Sequence, residues 1–264
     1  MRIFPLKHWK GNAVIASGLV IVVLAIVLAR NSAEPSYDGK PLRFWLTQLD
    51  TKSARDGTSE AAVAVQAMGT NALPTLVRML SAREPDWRRW LKEQRWFPFP
   101  LEKAEHTILW ASWGLGCLRE QAVPTLEQLL TNRPTTEQAA IALGRMAPVG
   151  AASLASGLTN EDWNVRFWCG QVLLSVGTWK QEDGYEARVA ETARITIPAL
   201  IACLRHTNVP VAMSAAHALA NLSEQPETTL PALAGASRNA GLDPSVRTAA
   251  SNAFKIFKSR GELR

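Results

Sequence analysis

Residues 73–76 read Leu-Pro-Thr-Leu, and this pattern of an apolar residue, proline, a small residue and leucine occurs three more times. The other copies are Val-Pro-Thr-Leu at 123–126, Ile-Pro-Ala-Leu at 197–200 and Leu-Pro-Ala-Leu at 230–233. Proline is tolerated in the first turn of a helix, because the first amides of a helix have no intrahelical acceptor. We therefore expect each copy to begin a short amphipathic helix. The prolines are interpreted as structural repeat positions: Pro74, Pro124, Pro198 and Pro231.

Alanine-rich stretches with helical spacing lie before and between these expected helices. They are the candidate first helices of a series of pairs, at 60–68, 105–118, 136–146, 162–176, 211–222 and 246–257. Small side chains allow neighbouring helices to approach closely, and one such pair cannot bury its apolar stripe alone. Stacked side by side, about five or six pairs would bury a continuous core. The sequence therefore predicts an all-α body built as a solenoid.

Two of the candidate first helices begin with the pattern Asp-x-x-Val-Arg, at 162–166 and 243–247. Together with the proline pattern, these starts resemble HEAT repeats, and the resemblance covers about residues 58–258. It departs at 208–212, which has Asn for Asp and Ala for Arg, and at 136–158, which lacks both features. The resemblance implies second helices that line a concave face, and a role in protein binding or scaffolding. It also implies structural residues that bind neighbouring loops and helix ends across the stack: Asp162, Arg166, Asp243 and Arg247.

A Trp-rich insert at 82–104 interrupts the repeats. Trp87, Trp90 and Leu91 have the spacing of one helical face, and basic residues fall mostly on the other faces. We expect the aromatic face to pack on the first repeats; a surface for lipid headgroups or an anionic partner is the first alternative, and a surface for single-stranded nucleic acid is the second. The candidate partner-binding residues are Arg88, Arg89, Lys92 and Arg95. The order of residues 37–46, the turn at 68–74 and this insert resembles a group of bacterial membrane-anchored HEAT proteins.

Residues 11–29 form an uncharged, strongly apolar run of 19 residues after a basic tail at 1–10. At about 1.5 Å per residue, a helix of this length nearly spans a hydrocarbon core of about 30 Å. The alternative is a cleaved signal sequence, but its apolar part usually has only about 7–15 residues. We therefore predict a single-pass anchor in the inner membrane, with a polar tether at 30–40 and an exported body at 41–264. The resemblance to HEAT repeats makes this body the expected HEAT-repeat domain.

The charge distribution argues against nucleic acid as a partner. The net charge is +6, but the first 30 residues hold four basic residues and no acid. The rest of the chain has 25 basic and 23 acidic residues, so the folded body is nearly balanced. A nucleic-acid-binding protein is expected to carry its basic excess on the folded domain.

No catalytic or metal-binding motif is visible in the sequence. None of the four His is followed by Glu, no Cys-x-x-Cys occurs, and phosphate-binding and nucleophile-elbow motifs are absent. We therefore predict no cofactor and an interaction scaffold without catalysis that binds an unknown protein partner. Two alternatives remain: a HEAT-type lyase or base-excision enzyme, and a membrane-surface binder that uses the insert. A deep pocket that collects a carboxylate, an Arg and two Trp would favour the enzyme.

Overall fold

The computed structural model describes residues 34–83, 103–176 and 185–261. Within these ranges the chain is helical apart from one short hairpin, of β1 (Ser36–Tyr37) and β2 (Lys40–Pro41). The helices are α1 (Leu42–Leu46), α2 (Thr51–Asp56), α3 (Glu60–Met68), α4 (Leu73–Leu80), α5 (Ala104–Leu118), α6 (Val123–Leu130), α7 (Thr136–Arg145), α8 (Ala151–Gly157), α9 (Trp163–Val176), α10 (Tyr185–Cys203), α11 (Val209–Leu222), α12 (Pro226–Arg238) and α13 (Pro244–Gly261). Two 3₁₀ turns, Gly69–Ala72 and Arg119–Ala122, join α3 to α4 and α5 to α6.

The helices pack as a stack of pairs. The first helices α3, α5, α7, α9, α11 and α13 each contact the next one along the chain, and together they form one layer. The second helices α8, α10 and α12 contact one another in the same way. The described residues therefore contain five complete pairs and a final first helix. This arrangement confirms the expected helical-repeat solenoid, and the six predicted first helices match the observed ones within a few residues at each end.

The repeated leucine of the four-residue pattern is the centre of the core. It has no exposed surface in any of the four copies: Leu76, Leu126, Leu200 and Leu233. Burying such a side chain contributes about 1.5–3 kcal/mol. Three of the first helices, α3, α7 and α11, contribute alanines that are equally buried: Ala62, Ala64, Ala139, Ala140, Ala215 and Ala216. The leucines and the alanines belong to one continuous core.

The prolines of the pattern do not all begin helices. Pro74 and Pro124 lie in the first turns of α4 and α6, as predicted. Pro198 and Pro231 lie inside α10 and α12, so the prediction that they open their helices is wrong. Both prolines are exposed. Proline has no amide hydrogen, so the carbonyl four residues before it has no intrahelical donor, and this carbonyl lies on the solvent side of the helix.

The hairpin before α1 lies within the stretch expected to be a tether. Asp38 and Gly39 form its turn at φ 50° and 71°, a left-handed geometry that glycine adopts easily. The indole nitrogen of Trp45 donates to the carbonyl of Tyr37 at 3.2 Å, and Trp45 is almost completely buried. The Lys40 ammonium lies 4.9 Å from the Trp45 ring centre. Ordered contacts with the body therefore begin before residue 41.

No helix in the described ranges is both long enough and apolar enough to span a membrane. The predicted anchor at 11–29 and the basic tail at 1–10 lie outside those ranges.

Candidate functional site

A cavity of about 540 Å³ lies at the edge of the stack where first helices end. Its walls come from α2, from α5 and the turn that follows it, from the turn between α7 and α8, and from the first turns of α10. α2 precedes the first pair and the other elements belong to the second, third and fourth pairs, so only the folded stack brings them together. The volume lies within the range of about 300–1,000 Å³ that is usual for ligand pockets.

The cavity is lined by four arginines, Arg55, Arg119, Arg145 and Arg188, each from a different wall. Among the lining residues that the structure describes, the only carboxylate is that of Glu191, which is exposed. Arg55 forms an ion pair with Asp56, with 3.1 Å between Nε and Oδ1. Arg119 donates from Nη2 to the carbonyl of Arg55 at 3.0 Å, which holds two of the walls together. The cavity thus carries an excess of positive charge.

Of the four arginines, Arg145 has the fewest partners for its positive charge. It is the last residue of α7 and is half-buried. In the part of the chain that the structure describes, its guanidinium makes no hydrogen bond and no ion pair. Burial lowers the pKa of Arg145 from its ordinary value, because the charged form loses water. Arginine nevertheless stays protonated in proteins, so a positive charge remains inside the cavity at neutral pH.

The remaining walls are largely apolar. Leu109 and Trp113 of α5 line one side, and Met146 and Val149 of the α7–α8 turn line another. Ser112 also lines the cavity, but its hydroxyl already donates to the carbonyl of Ile108 at 2.9 Å. The cavity can therefore hold an anionic group at its guanidinium groups and an apolar body against Trp113.

The predicted partner-binding residues of the insert lie outside the described residues: Arg88, Arg89, Lys92 and Arg95. Their role stays a prediction.

The predicted aspartates act at the starts of first helices. Asp162 accepts from the Asn164 amide at 2.9 Å, and Asp243 accepts from the Ser245 amide at 2.8 Å. At the start of α11, Asn208 stands in the place of this aspartate and accepts from the Val211 amide at 3.3 Å. Each side chain occupies a helix-capping position that Asp and Asn prefer. Asn208 departs from the family pattern but caps its helix in the same way.

Asp162 also contacts another repeat. Its second carboxylate oxygen accepts from Arg133 Nε at 3.2 Å, and Arg133 lies in the loop between α6 and α7. The Asn164 amide, more than this ion pair, lowers the pKa of Asp162 below its ordinary value. Arg166 donates instead to the carbonyls of Asn160 and, at 2.7 Å, Glu161, in the loop before its own helix.

Arg247 and Arg260 differ in what they bind. Arg247 is half-buried, and its buried Nε has no hydrogen-bond partner among the described residues. Arg260, which the sequence pattern did not single out, donates from Nη1 to the carbonyls of Ala220 at 3.0 Å and Asn221 at 3.2 Å. These carbonyls are at the end of α11. Arg260 thus performs the contact with a neighbouring helix end that was expected of Arg247.

Within the described ranges, no group of three His, Cys, Asp or Glu side chains could hold a metal ion. The three cysteines are buried as free thiols: Cys117, Cys169 and Cys203.

The chain matches no protein-family model and no curated protein sequence. Similar solved structures include an engineered protein of the Northeast Structural Genomics Consortium. It has a TM-score of 0.42 and 20% identity, and the match covers 83% of this chain and 95% of that chain. Another is a designed armadillo repeat protein in complex with the peptide (KR)4. It has a TM-score of 0.42 and 16% identity, with 82% and 98% covered.

Proposed function

We propose that this protein is a scaffold that binds another protein, has no catalysis of its own, and is anchored in the inner membrane. The observation that carries the proposal is the stack of five helix pairs with one continuous core. Repeat stacks of this kind present extended surfaces on which a partner can lie. The sequence resemblance to HEAT repeats supports the same function and assigns binding to the face of the second helices.

The binding proposal is tested by photo-cross-linking in native membranes. A photoreactive amino acid is placed at Gln128 of α6 and Ser156 of α8, both exposed on second helices. Matched controls carry it at Gln66 of α3 and Asn252 of α13, both exposed on first helices. We expect one discrete protein adduct from the second-helix positions and none from the controls. Absence of an adduct at all four positions would reject the scaffold function.

Membrane attachment is supported by the uncharged run at 11–29 and the basic tail before it. This part of the proposal places the body outside the cytoplasm. It is tested by adding protease to spheroplasts, where we expect the body to be degraded. A body that survives would contradict the orientation. A mature protein whose first residue lies near Arg30 would contradict the anchor.

The cavity gives the enzyme alternative one specific support. Its described lining contains a carboxylate and arginines, and it supplies one tryptophan, Trp113, where two were expected. The alternative is tested by measuring base release from alkylated DNA with the intact chain and with Glu191→Gln. Activity that depends on Glu191 would replace the scaffold proposal.

The insert supports a third hypothesis, in which its basic residues bind anionic lipid or an acidic protein. We expect Arg88→Ser combined with Arg89→Ser to weaken capture on anionic vesicles and to leave stability unchanged. Trp90→Ala should instead lower stability. If Trp90→Ala leaves the thermal midpoint unchanged but abolishes capture, the aromatic face is the binding surface.

A further inference from the structure

We infer that the cavity lined by Arg119 and Arg145 is a binding site for a small organic anion. The ligand class is a carboxylate or phosphate group carried on an apolar body. The inference goes beyond the scaffold function and does not depend on it, because it concerns a ligand that the isolated chain would bind.

The charge of the lining selects an anion. Four arginines line one cavity; Asp56 neutralises Arg55 from its own helix, and Glu191 is the one carboxylate among the described lining residues. Arg119 and Arg145, which form no ion pair within the described ranges, keep the lining positively charged, and like charges close together repel. Guanidinium groups form paired, charge-assisted hydrogen bonds with carboxylate and phosphate oxygens. An anion of this type would therefore match the cavity in charge and in geometry.

Arg145 shows where the anionic group would bind. A half-buried guanidinium without a hydrogen-bond acceptor in the described ranges keeps only the water that still reaches it. The neighbouring wall residues, Met146 and Val149, offer only apolar side chains to it. An anionic ligand would supply the missing acceptor, so the strongest contact of the site is expected at Arg145.

The apolar walls exclude a simple inorganic ion as the preferred ligand. Leu109, Trp113 and Val149 surround a volume of about 540 Å³, far more than one phosphate group fills. An apolar body that covers these side chains would remove their surface from water, which is favourable in proportion to the area covered. A ring packed on the indole of Trp113 is the simplest body of suitable size.

The test uses the full-length protein in detergent and isothermal titration calorimetry at low salt. The probes are phenyl phosphate and benzoate, which have an anionic group on a ring. Inorganic phosphate lacks the ring, and benzamide lacks the charge. We expect saturable binding of phenyl phosphate and benzoate. The affinity for inorganic phosphate should be lower by about tenfold or more, and benzamide should not bind.

Arg145→Gln removes the charge and keeps much of the side chain, and we expect it to weaken phenyl phosphate binding by about tenfold or more. Arg205→Gln is the matched control, since Arg205 is exposed and is not part of the cavity lining. Its affinity should equal that of the unaltered chain. If Arg145→Gln does not fold, Arg119→Gln, at an exposed position of the wall, takes its place.

Three results would overturn the inference: no saturable binding of either ring-bearing anion, equal affinity in the Arg145 variant, or binding of benzamide as tight as that of benzoate. Inorganic phosphate that binds as tightly as phenyl phosphate would also reject an organic ligand. None of these results affects the scaffold proposal, which the cross-linking experiment tests separately.

Discussion

The side-chain amide of Asn221 on α11 donates to the main-chain carbonyl of Leu174 on α9, with 3.0 Å between nitrogen and oxygen. Leu174 is two residues from the end of α9, so its carbonyl is one of the last four that lack an intrahelical donor. Arg260 of α13 likewise donates to a carbonyl at the end of α11. In this part of the stack, carbonyls at the end of a first helix therefore accept hydrogen bonds from a side chain of the next first helix. These contacts fix the register between neighbouring repeats.

Asn221→Ala is expected to lower the free energy of unfolding by about 1–3 kcal/mol, because it leaves the Leu174 carbonyl without its donor. The measurement is urea unfolding followed by circular dichroism. Asn252→Ala is the control, since Asn252 is exposed on α13 and alanine is the better helix former. Equal effects of the two substitutions would show that the contact contributes nothing.

Arg260→Gln is expected to cost about 1–3 kcal/mol, because it removes a charged donor from two carbonyls at the end of α11. Lys258→Gln removes the same charge from an exposed position of the same helix and should change stability little. Thermal unfolding of the two variants at equal salt compares them. A midpoint for Arg260→Gln that matches that of Lys258→Gln would contradict the assignment.

Gly144→Ala is expected to destabilise the protein by about 1–3 kcal/mol through overpacking between α7 and α9. A Cβ atom at position 144 would lie 2.2 Å from Cγ1 of Val172, a short and buried side chain that cannot swing away. Val172→Ala removes the obstacle, so the double variant should lose less stability than the sum of the two single changes. Simple additivity in denaturant unfolding would rule out the clash.

Gly235→Ala provides the matched control for that substitution. Gly235 lies in α12, is exposed, and a Cβ atom there would meet nothing within 4 Å. Alanine in a helix is favoured over glycine by about 0.5–1 kcal/mol, so this change should stabilise the protein. A loss of stability at position 235 would show that the helix depends on glycine for another reason.

The native thiols are expected to resist alkylation at pH 8. Burial raises the pKa of Cys117 and of Cys169 to about 12, and it also raises the pKa of Cys203. Because only the thiolate reacts, iodoacetamide should modify these residues after unfolding and not before. Mass spectrometry of native and urea-treated protein measures the difference. Labelling of Cys169 in the native state, at the rate of a free thiol, would contradict its burial.

The same shifts predict the effect of alkaline pH on stability. The folded pKa of Cys117 and Cys169 lies above their ordinary value of 9.0, so the unfolded chain loses these protons first. Their contribution to stability is therefore complete below pH 9 and decreases as the pH rises toward 12. Unfolding at pH 8 and pH 10.5, compared with a variant that has Ala at both positions, isolates this effect. An equal loss in both proteins would exclude the thiols as its source.

The helix pairs could be predicted from the sequence, because their signal is local and repeated. The pattern of proline and leucine identified Leu76, Leu126, Leu200 and Leu233, which all lie in the core. It could not reveal that α10 and α12 begin well before Pro198 and Pro231, since the residues before these prolines are also compatible with helix. On an exposed face, water can bond the carbonyl that proline leaves without an amide donor, which lowers the cost of a proline inside a helix.

The cavity could not be predicted in this way. Arg55, Arg119, Arg145 and Arg188 occur at no regular spacing, and each lies near the end of a different element. Their convergence depends on the turns between helices, and turn geometry leaves little trace in hydrophobic periodicity. Arg260 was missed for a similar reason, since the contact that gives it a role lies 40 residues earlier in the chain.

The cavity borders α5, the α7–α8 turn and α10, which belong to three consecutive repeats. In a stack of this kind each repeat contacts only its two neighbours, so a deformation is transmitted from one repeat to the next. A space shared by the second, third and fourth pairs is an exception, because its width depends on how far the stack bends between them. Bending the stack at these pairs therefore changes the spacing of the arginines, and a molecule that spans this gap would stiffen three repeats at once.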